Sequence, residues 1–334
     1  MSGEVGAGAP KARHEWMDVA RGAAIVLVLM LHSVSYFKAQ GGAVPDYANQ
    51  FVNFFAPVRM PTLYFLSGML LDASLRKGFA TYAYGKLRNL IWPFLLWLMV
   101  WSAASATFGD LATLKGWGGG WYLWFMYFLI VYFAVAAATV RINHLVVAAY
   151  AFVASLLMKD GDKYTERLFF FMAIFFAGAF FGGRLKAFEA ALKGKAALLL
   201  VPLLLGIMAY SAVKGPVRYS PHDAVIIMIC VFAACGLAIR VSAERVKAAL
   251  SFIGVNSIVF YVVHMPLIAV IVRGAKDAGV GSFYVVAGSS LLCAALVPLG
   301  VIWLRKRLPA VGWLFSFPDL RARPAEEGAR AATP

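Results

Sequence analysis

The chain has 334 residues, of which 62% are hydrophobic and only 14% are charged. Soluble globular proteins are roughly half apolar and a quarter charged, so this composition excludes a soluble domain and indicates a polytopic membrane protein. The formal net charge of +15 does not point to a nucleic-acid partner, because the Lys and Arg residues occur in short clusters between apolar stretches rather than on one basic domain.

Taken in chain order, the sequence contains about ten apolar stretches near the length of about 20 residues that a helix needs to cross the hydrocarbon core. We therefore predict an all-α integral membrane protein, built as a bundle of about ten transmembrane helices. The first stretch contains Asp18 and Arg21, which the apolar region of a cleaved signal peptide would lack. The fifth and sixth stretches are short, so they would either cross with little tilt or be partly re-entrant. The predicted spans are 17–37, 51–71, 88–107, 121–140, 143–158, 168–183, 196–212, 224–240, 252–272 and 283–304.

The distribution of Lys and Arg predicts which loops face the cytoplasm. The two tails and alternate loops hold about 20 of these residues, and the opposite loops hold about 9. Cytoplasmic loops carry the excess of positive charge, so we predict that both termini are cytoplasmic and that the protein is a multi-pass protein of the inner (plasma) membrane. In this arrangement residues 1–14 form a flexible N-terminal tail, 15–307 the transmembrane domain and 308–334 a cytoplasmic C-terminal tail.

The clearest ionisable side chains within the predicted spans are Asp18, Arg21, His32, Arg59 and His264. A charged group at the centre of a bilayer costs at least about 2.5 kcal/mol, so such residues are candidates for a functional site that faces the bundle interior. Arg21 and His32 lie on nearly the same helix face, within about 20°, and are separated by about 16 Å along the axis. Asp18 precedes Arg21 by one turn and can pair with it. A single site that used both Arg21 and His32 would have to extend across the membrane.

These residues allow a structural and a catalytic interpretation. In the structural one, Asp18 and Arg21 form a pair at the inner interface, His32 bonds to a backbone carbonyl and Arg59 is a packing residue. In the catalytic one, a histidine acts as general base on a hydroxyl while arginines bind phosphate or carboxylate groups. The second interpretation predicts transfer of a group from a phosphorylated carrier, which enters from the basic cytoplasmic side, to an acceptor near His32.

Four segments, in this order, resemble the membrane acyltransferase-3 family and in particular its fucose 4-O-acetylase-like branch: MDVARGAAIVLVLMLHS, RMPTLYFLSGMLL, KLRNLIWPF and NSIVFYVVHMPL. Each motif is weak alone, but together they extend over roughly residues 15–305. The resemblance implies a ten-helix enzyme that moves an acyl group, usually acetyl, from cytoplasmic acyl-CoA to a sugar hydroxyl of an extracytoplasmic glycan. Some members carry a fused periplasmic esterase-type domain, which this sequence lacks, so acceptor choice is expected to depend on short outer loops.

The resemblance also implies roles for individual residues, because His32 matches the family's essential histidine and Arg21 its paired arginine. We predict acetyl-CoA as the donor substrate, without a metal or a permanently bound cofactor. His32 would be the general base or, as an alternative, a covalent acyl carrier. No carboxylate that orients His32 is identifiable from the sequence, and Asp46 and Glu166 are the candidates. The predicted site consists of the catalytic His32, the acyl-CoA-binding Arg21, Arg59, Lys86 and Arg88, and the supporting Asp18, Ser67, Asn256 and His264.

The predicted partners are acyl-CoA, an extracytoplasmic glycan or glycolipid acceptor and membrane lipid, with no nucleic acid. The alternative function is a secondary transporter or flippase, in which Asp18 and His32 relay protons and Arg59 binds an anion. No internal repeat is visible, which argues against a transporter built from two halves. A non-catalytic membrane sensor is the third interpretation, and it leaves His32 without a chemical role.

Three further segments carry weaker signals. An aromatic run that includes Trp121, Tyr122 and Trp124 predicts either a sugar platform or, as the favoured interpretation, an interfacial aromatic belt. The outer segment KDGDKYTER is expected to be a solvated loop rather than a metal site. Gly178 and Gly182 have the small-x3-small spacing that is typical of close helix packing.

Overall fold

The computed structural model describes residues 14–105, 107, 117, 122–158 and 162–319. Within these residues the chain is helical with no β-strand, as predicted for an all-α membrane protein. A π-helical segment, Leu87–Ile91, precedes the helix that begins at Trp92, and 3-10 segments at Lys195–Leu199 and Pro221–Asp223 lead into the helices that begin at Leu200 and Ala224. The α-helices are α1 (Glu15–Ala39), α2 (Asp46–Phe54), α3 (Arg59–Met69), α4 (Leu71–Leu75), α5 (Phe79–Lys86), α6 (Trp92–Ser105), α7 (Trp124–Ala138), α8 (His144–Leu157), α9 (Lys163–Gly182), α10 (Leu185–Lys193), α11 (Leu200–Lys214), α12 (Ala224–Arg240), α13 (Glu244–Val255), α14 (Ser257–Asp277), α15 (Phe283–Arg307) and α16 (Pro309–Gly312).

Among the described residues, seven helical segments are long and apolar enough to cross a membrane. Helices α7 and α8 are apolar but shorter, with 15 and 14 residues. The count of about ten spans therefore stays a prediction. The seven segments are Glu15–Ala39, Phe79–Ser105, Lys163–Gly182, Lys195–Lys214, Pro221–Arg240, Ser257–Asp277 and Phe283–Arg307.

The prediction of one continuous helix over 51–71 is wrong. Helix α2 ends at Phe54 and α3 begins at Arg59. Pro57 between them has no N–H to donate and disfavours helical backbone at the residue before it, so the chain turns there. With 11 residues, α3 is about 16 Å long and cannot cross a core of about 30 Å by itself. The break places the end of α2 and the start of α3 beside α1, where the candidate site lies.

The two helices that carry the predicted histidines are the most enclosed of the long apolar helices. In their apolar windows, 56% of α1 and 61% of α14 is buried, against 17% of the Lys195–Lys214 segment. Helix α1 packs against α3, α12, α13, α14 and α15. His32 and His264 are therefore held in the interior of the bundle rather than against lipid.

Glycines bring the central helices into backbone contact. A Cβ added to Gly22 of α1 would lie 1.9 Å from the carbonyl oxygen of Leu250, and one added to Gly254 of α13 would lie 1.9 Å from that of Asp18. The packing of α3 on α9 has the same form, because Cβ atoms on Gly178 and Gly182 would lie 2.1 and 2.3 Å from carbonyl oxygens of α3. Close helix packing at Gly178 and Gly182 is thus confirmed.

Contacts between loops fall into two groups, one at each end of α1. The segments predicted on the cytoplasmic side meet each other at the N-terminal end, and those predicted on the outer side meet at the other end. This supports the alternation of loops between two sides, while the orientation of the protein in a membrane stays a prediction. The N-terminal group includes His14 with Glu189 (2.7 Å), Lys247 with Glu15 (2.8 Å) and His144 with Asp72 (2.7 Å), and the opposite group includes Lys38 with Asn49 (3.3 Å), Tyr47 with Tyr284 (2.8 Å) and Ser211 with the Asn53 carbonyl (2.7 Å).

Candidate active site

His32 of α1 and His264 of α14 form a hydrogen-bonded pair. The distance from His32 Nδ1 to His264 Nε2 is 2.9 Å, and the rings stack with centroids 5.1 Å apart and planes inclined by 10°. His264 is fully buried, whereas His32 is partly exposed to a cavity. The structure thus brings together two predicted site residues that are 232 positions apart in the chain.

The hydrogen bonds around this pair fix the tautomers of the neutral rings. His264 Nδ1 lies 2.6 Å from the Tyr261 carbonyl and 3.2 Å from that of Phe260. Carbonyl oxygens only accept, so Nδ1 of His264 must carry the proton and its Nε2 must be an acceptor. The bond between the rings is then donated by His32 Nδ1, which leaves the lone pair of His32 Nε2 without a proton. This is the arrangement that a general base requires.

A proline in α14 helps to position the pair. Pro266 has no N–H, so the carbonyl of Val262 loses the helical hydrogen bond that residue 266 would otherwise donate. The hydroxyl of Tyr122 donates to that carbonyl at 3.0 Å, and the Tyr122 ring packs edge-on against His264 with centroids 5.5 Å apart. Tyr261 returns a hydrogen bond from its own hydroxyl to the Tyr122 carbonyl. Backbone and phenol groups thus hold the imidazole of His264 on several sides.

The favoured interpretation placed Tyr122 in an interfacial aromatic belt, and the structure does not support this placement. Its side chain is 1% exposed and packs against His264. Tyr122 and Trp124 both line the cavity that contains His32. Trp121, the other member of the predicted platform, lies outside the described residues.

The His32 cavity has a volume of about 310 Å³ and lies at the end of the bundle predicted to face outward. Arg59 also lines it, although only 4% of this residue is exposed to solvent. One Nη of Arg59 donates to the Val52 carbonyl, which the end of α2 leaves without a helical partner. Its Nε has no hydrogen-bond partner among the described residues. The guanidinium of Arg59 therefore shares the cavity wall with His32, and its Nε is a buried donor without a partner.

A second cavity of about 220 Å³ lies nearer the N-terminal end of α1 and is almost entirely apolar. Its wall includes Ala20, Ala24 and Leu27 of α1. The linings of the two cavities share no residue, so they are separate cavities in the described part of the chain. Arg21 lines neither cavity and pairs with Asp18 at 3.2 Å. The structure therefore does not bring Arg21 and His32 into one enclosed site.

Lys86 and Arg88 lie in a basic pocket of about 540 Å³ at the end predicted to be cytoplasmic. The ammonium of Lys86 is 3.3 Å from the centroid of the Phe133 ring. Arg88 is already engaged, because its Nε donates to the Phe317 carbonyl at 2.6 Å and its Nη1 pairs with Asp319 at 2.9 Å. Part of the predicted C-terminal tail is thus folded against the residues predicted to bind the donor.

The remaining predicted residues do not meet His32. The Ser67 hydroxyl donates to the Leu63 carbonyl at 2.7 Å, and the Asn256 amide donates to the Phe252 carbonyl at 2.9 Å, so each is bonded within its own segment. Neither Asp46 nor Glu166 is the partner that orients His32, because that position is taken by His264. The sequence His264-Met265-Pro266 was the available signal that His264 belongs to the site. A proline at 266 leaves the carbonyl of Val262, close to His264, without its helical hydrogen bond.

No cluster of three or more His, Cys, Asp and Glu side chains that could hold a metal ion occurs in the described part of the chain. Cys230, Cys235 and Cys293 are free thiols. Asp162 in the predicted solvated loop caps α9 by accepting from the Thr165 backbone N–H at 3.3 Å. Asp160, the other acidic residue considered for a metal, lies outside the described residues.

A family model described as an acyltransferase domain, acyltransferase-3, matches residues 14–304. This range covers most of the chain, and it contains both histidines of the pair and both cavities. No curated protein and no solved structure matches the chain.

Proposed function

The chain belongs to the acyltransferase-3 family and is a membrane acyltransferase, and on that premise we propose a specific reaction. The acyl group, most simply acetyl, moves from cytoplasmic acyl-CoA to a sugar hydroxyl of an extracytoplasmic glycan or glycolipid. The protein acts in the inner membrane, with the acceptor bound in the cavity that contains His32. The observation that carries this proposal is the hydrogen bond of His32 Nδ1 to His264, which leaves Nε2 without a proton on a ring that lines that cavity.

In the proposed step the sugar hydroxyl attacks the thioester carbonyl carbon while its proton passes to His32 Nε2. A C–O bond forms and the C–S bond breaks. The proton on His32 then passes to the departing thiolate, which leaves as CoA-SH. We assign His32 as the base; a covalent acyl carrier would use the same Nε2 lone pair, and label from acetyl-CoA that stays on the protein in the absence of glycan would identify that alternative.

Arg59 is proposed to stabilise the negative charge that develops on the carbonyl oxygen during this step. Fixed donors in a site that excludes water are effective for this purpose, and they need no reorganisation when the charge appears. Arg59 is anchored to the Val52 carbonyl and has an unpartnered Nε. It would therefore contact the acyl end of the donor, while Lys86 and Arg88 contact the nucleotide end.

The proposed binding of acyl-CoA depends on the attraction between its phosphates and basic side chains. Coenzyme A carries its phosphates at the nucleotide end, and the pocket of Lys86 and Arg88 is basic. Arg21 adds a further cation at the same end of the bundle. The pantetheine arm would follow the apolar cavity along α1 towards His32. Because the two cavities are separate, this route requires the bundle to open between them when acyl-CoA binds.

No observation favours the transporter or flippase. Asp18 is paired with Arg21, and it lies 14 residues before His32 on the same helix, which is about 21 Å along the axis. A direct proton relay between them is therefore not supported.

The test uses the purified full chain in lipid nanodiscs, so that both faces are accessible. Radiolabelled acetyl-CoA and a glycan extract from the host cell envelope are added, and label in the glycan is counted. We expect the wild type to label the glycan and His32→Gln to lower the initial rate by at least about 10²-fold, since general-base catalysis typically contributes 10²–10⁴-fold. His222→Gln is the matched control, because His222 is exposed and lies outside the cavity.

Each variant is checked for folding by its elution volume and melting temperature. Equal labelling by wild type and folded His32→Gln would remove His32 from the mechanism. Solute uptake into proteoliposomes without any dependence on acetyl-CoA would instead favour the transporter.

A further inference from the structure

The His32 cavity carries an excess of positive charge. Arg59, Arg167 and Arg218 all line it, and its described lining contains no aspartate or glutamate. Arg59 is buried in the wall, while Arg167 and Arg218 are exposed. The cavity therefore presents two accessible guanidinium groups at its opening and one in its interior.

The three arginines come from separate parts of the chain. Arg59 begins α3, Arg167 lies in the first turns of α9, and Arg218 follows α11 in the segment that leads to the 3-10 turn at Pro221. Neither Arg167 nor Arg218 forms an ion pair with a described carboxylate. Like charges gathered in one concave site raise the local positive potential and attract anions. The fold thus gathers three arginines that are distant in sequence around one cavity.

Part of the cavity wall without arginines is aromatic, as is common in sugar-binding sites. Tyr122, Trp124 and Tyr219 line the same cavity and provide broad, rigid surfaces with polar edges. Tyr219 is fixed in place, because its hydroxyl donates to the Ala56 carbonyl at 2.9 Å. An aromatic wall in a cavity that two exposed arginines also line matches a ligand that is both a carbohydrate and an anion.

We propose that the acceptor is an acidic glycan, in which the acylated sugar or its neighbour carries a carboxylate or phosphate group held by Arg167 and Arg218. This inference rests on the proposed function and defines the substrate class of the same site. Guanidinium groups bind carboxylate and phosphate oxygens through two parallel hydrogen bonds, which fixes orientation as well as charge. The anion would hold the sugar with its hydroxyl towards His32 Nε2, while Arg59 contacts the carbonyl oxygen of the thioester.

The first arm of the test compares acceptors with the wild-type protein in nanodiscs and acetyl-CoA. Envelope glycan from the host is separated by anion exchange into neutral and acidic fractions. One portion of the acidic fraction has its carboxylates reduced to alcohols, and another has its phosphates removed with hydrofluoric acid. We expect kcat/KM to be at least tenfold higher for the acidic fraction than for the neutral one. The treatment that abolishes the difference identifies the anion as carboxylate or phosphate.

The second arm uses the variants Arg167→Ala and Arg218→Ala. We expect KM for the acidic fraction to rise about tenfold in each, while KM for acetyl-CoA is unchanged. Lys163→Ala and Lys214→Ala are matched controls: each removes one positive charge, from α9 and α11 respectively, and neither residue lines the cavity. Both controls should keep the wild-type KM for the acidic fraction, which separates a specific site from a general surface charge effect.

The outcomes separate this inference from the function on which it rests. Equal transfer to acidic and neutral glycans, or equal loss in the two lysine controls, overturns the acidic acceptor while the acyltransferase function stands. An arginine effect that appears with succinyl-CoA and not with acetyl-CoA also overturns it, because the anion bound would belong to the acyl group. Absence of transfer to every fraction contradicts the proposed function itself.

Discussion

His264 Nε2 accepts a hydrogen bond from His32 Nδ1 at 2.9 Å, so a neutral imidazole occupies the place where a carboxylate orients the base in a serine-protease triad. The partner is itself oriented by the carbonyls of Tyr261 and Phe260. A positive charge that forms on His32 during proton transfer is then stabilised by hydrogen bonds to neutral groups, first the His264 ring and through it the two carbonyls. No carboxylate among the described residues contacts either ring.

The first prediction concerns His264 as a positioning residue. His264→Phe keeps a ring in the buried site but removes the acceptor, so His32 loses the partner that selects its tautomer. We expect kcat to fall about 10²-fold with little change in KM for acetyl-CoA, because the effect is on proton transfer rather than on donor binding. The measurement is steady-state kinetics of acyl transfer in nanodiscs.

His264→Gln provides the conservative comparison, since its amide oxygen can accept from His32 Nδ1. It should recover part of the rate that His264→Phe loses. If both variants lose the same activity and melt at the same lowered temperature, His264 has only a packing role.

The second prediction is a pH dependence. The proposed base must be unprotonated at Nε2, so kcat/KM should fall as the pH is lowered and the imidazole pair takes up a proton. The profile is measured between about pH 5 and pH 9, and the acid limb should change position in His264→Gln because the hydrogen-bond partner of the base has changed. An acid limb at the same position in both proteins would show that the group that takes up the proton is not His32.

The sequence was sufficient to predict the helical class and to single out His32 and His264, which the structure places in contact. Apolar runs of membrane length and two histidines inside them are local signals. The break within 51–71 was missed because the stretch is mostly apolar, and its mean hydropathy was given more weight than Pro57 and Pro61. The backbone consequence of those prolines places Arg59 in the cavity wall, away from Lys86 and Arg88.

The contact between His32 and His264 could not be derived from spacing, because it depends on how α1 and α14 are rotated against each other. Arg167 and Arg218 carry no local sequence signal that would predict their meeting in one cavity. Both relationships arise from tertiary packing of elements that are far apart in sequence. A single sequence gives the face of one helix but not the residue that faces it.

The third prediction concerns the contact of α1 with α13. Gly22→Ala places a methyl group 1.9 Å from the Leu250 carbonyl oxygen, so the helices must separate. Overpacking of this kind costs about 1–3 kcal/mol, and we expect a lower melting temperature in detergent. Gly288→Ala is the control, because no heavy atom lies within 4 Å of its added Cβ, and helix propensity alone should make it neutral or slightly stabilising. Equal melting temperatures for both variants would show that α1 and α13 are not in close contact.

The C-terminal segment is bound to the predicted donor pocket by several contacts. Phe317 exchanges backbone and side-chain hydrogen bonds with Arg88, and the Trp92 and Trp97 indoles donate to the carbonyls of Trp313 and Leu314 at 2.6 and 2.8 Å. Asp319 pairs with the same arginine at 2.9 Å. An acyl-CoA phosphate that binds Arg88 would compete with this carboxylate.

The fourth prediction is therefore that Asp319→Asn lowers KM for acetyl-CoA, whereas Arg88→Ala raises it. The ion pair is about a third exposed on each side, and such pairs contribute at most about 1 kcal/mol, so the decrease should not exceed about fivefold. Glu244→Gln serves as the control, because it removes an acidic charge at the same end of the bundle without lining the pocket. A KM that changes equally in Asp319→Asn and Glu244→Gln would reflect general electrostatics, and an unchanged KM in Arg88→Ala would remove Arg88 from donor binding.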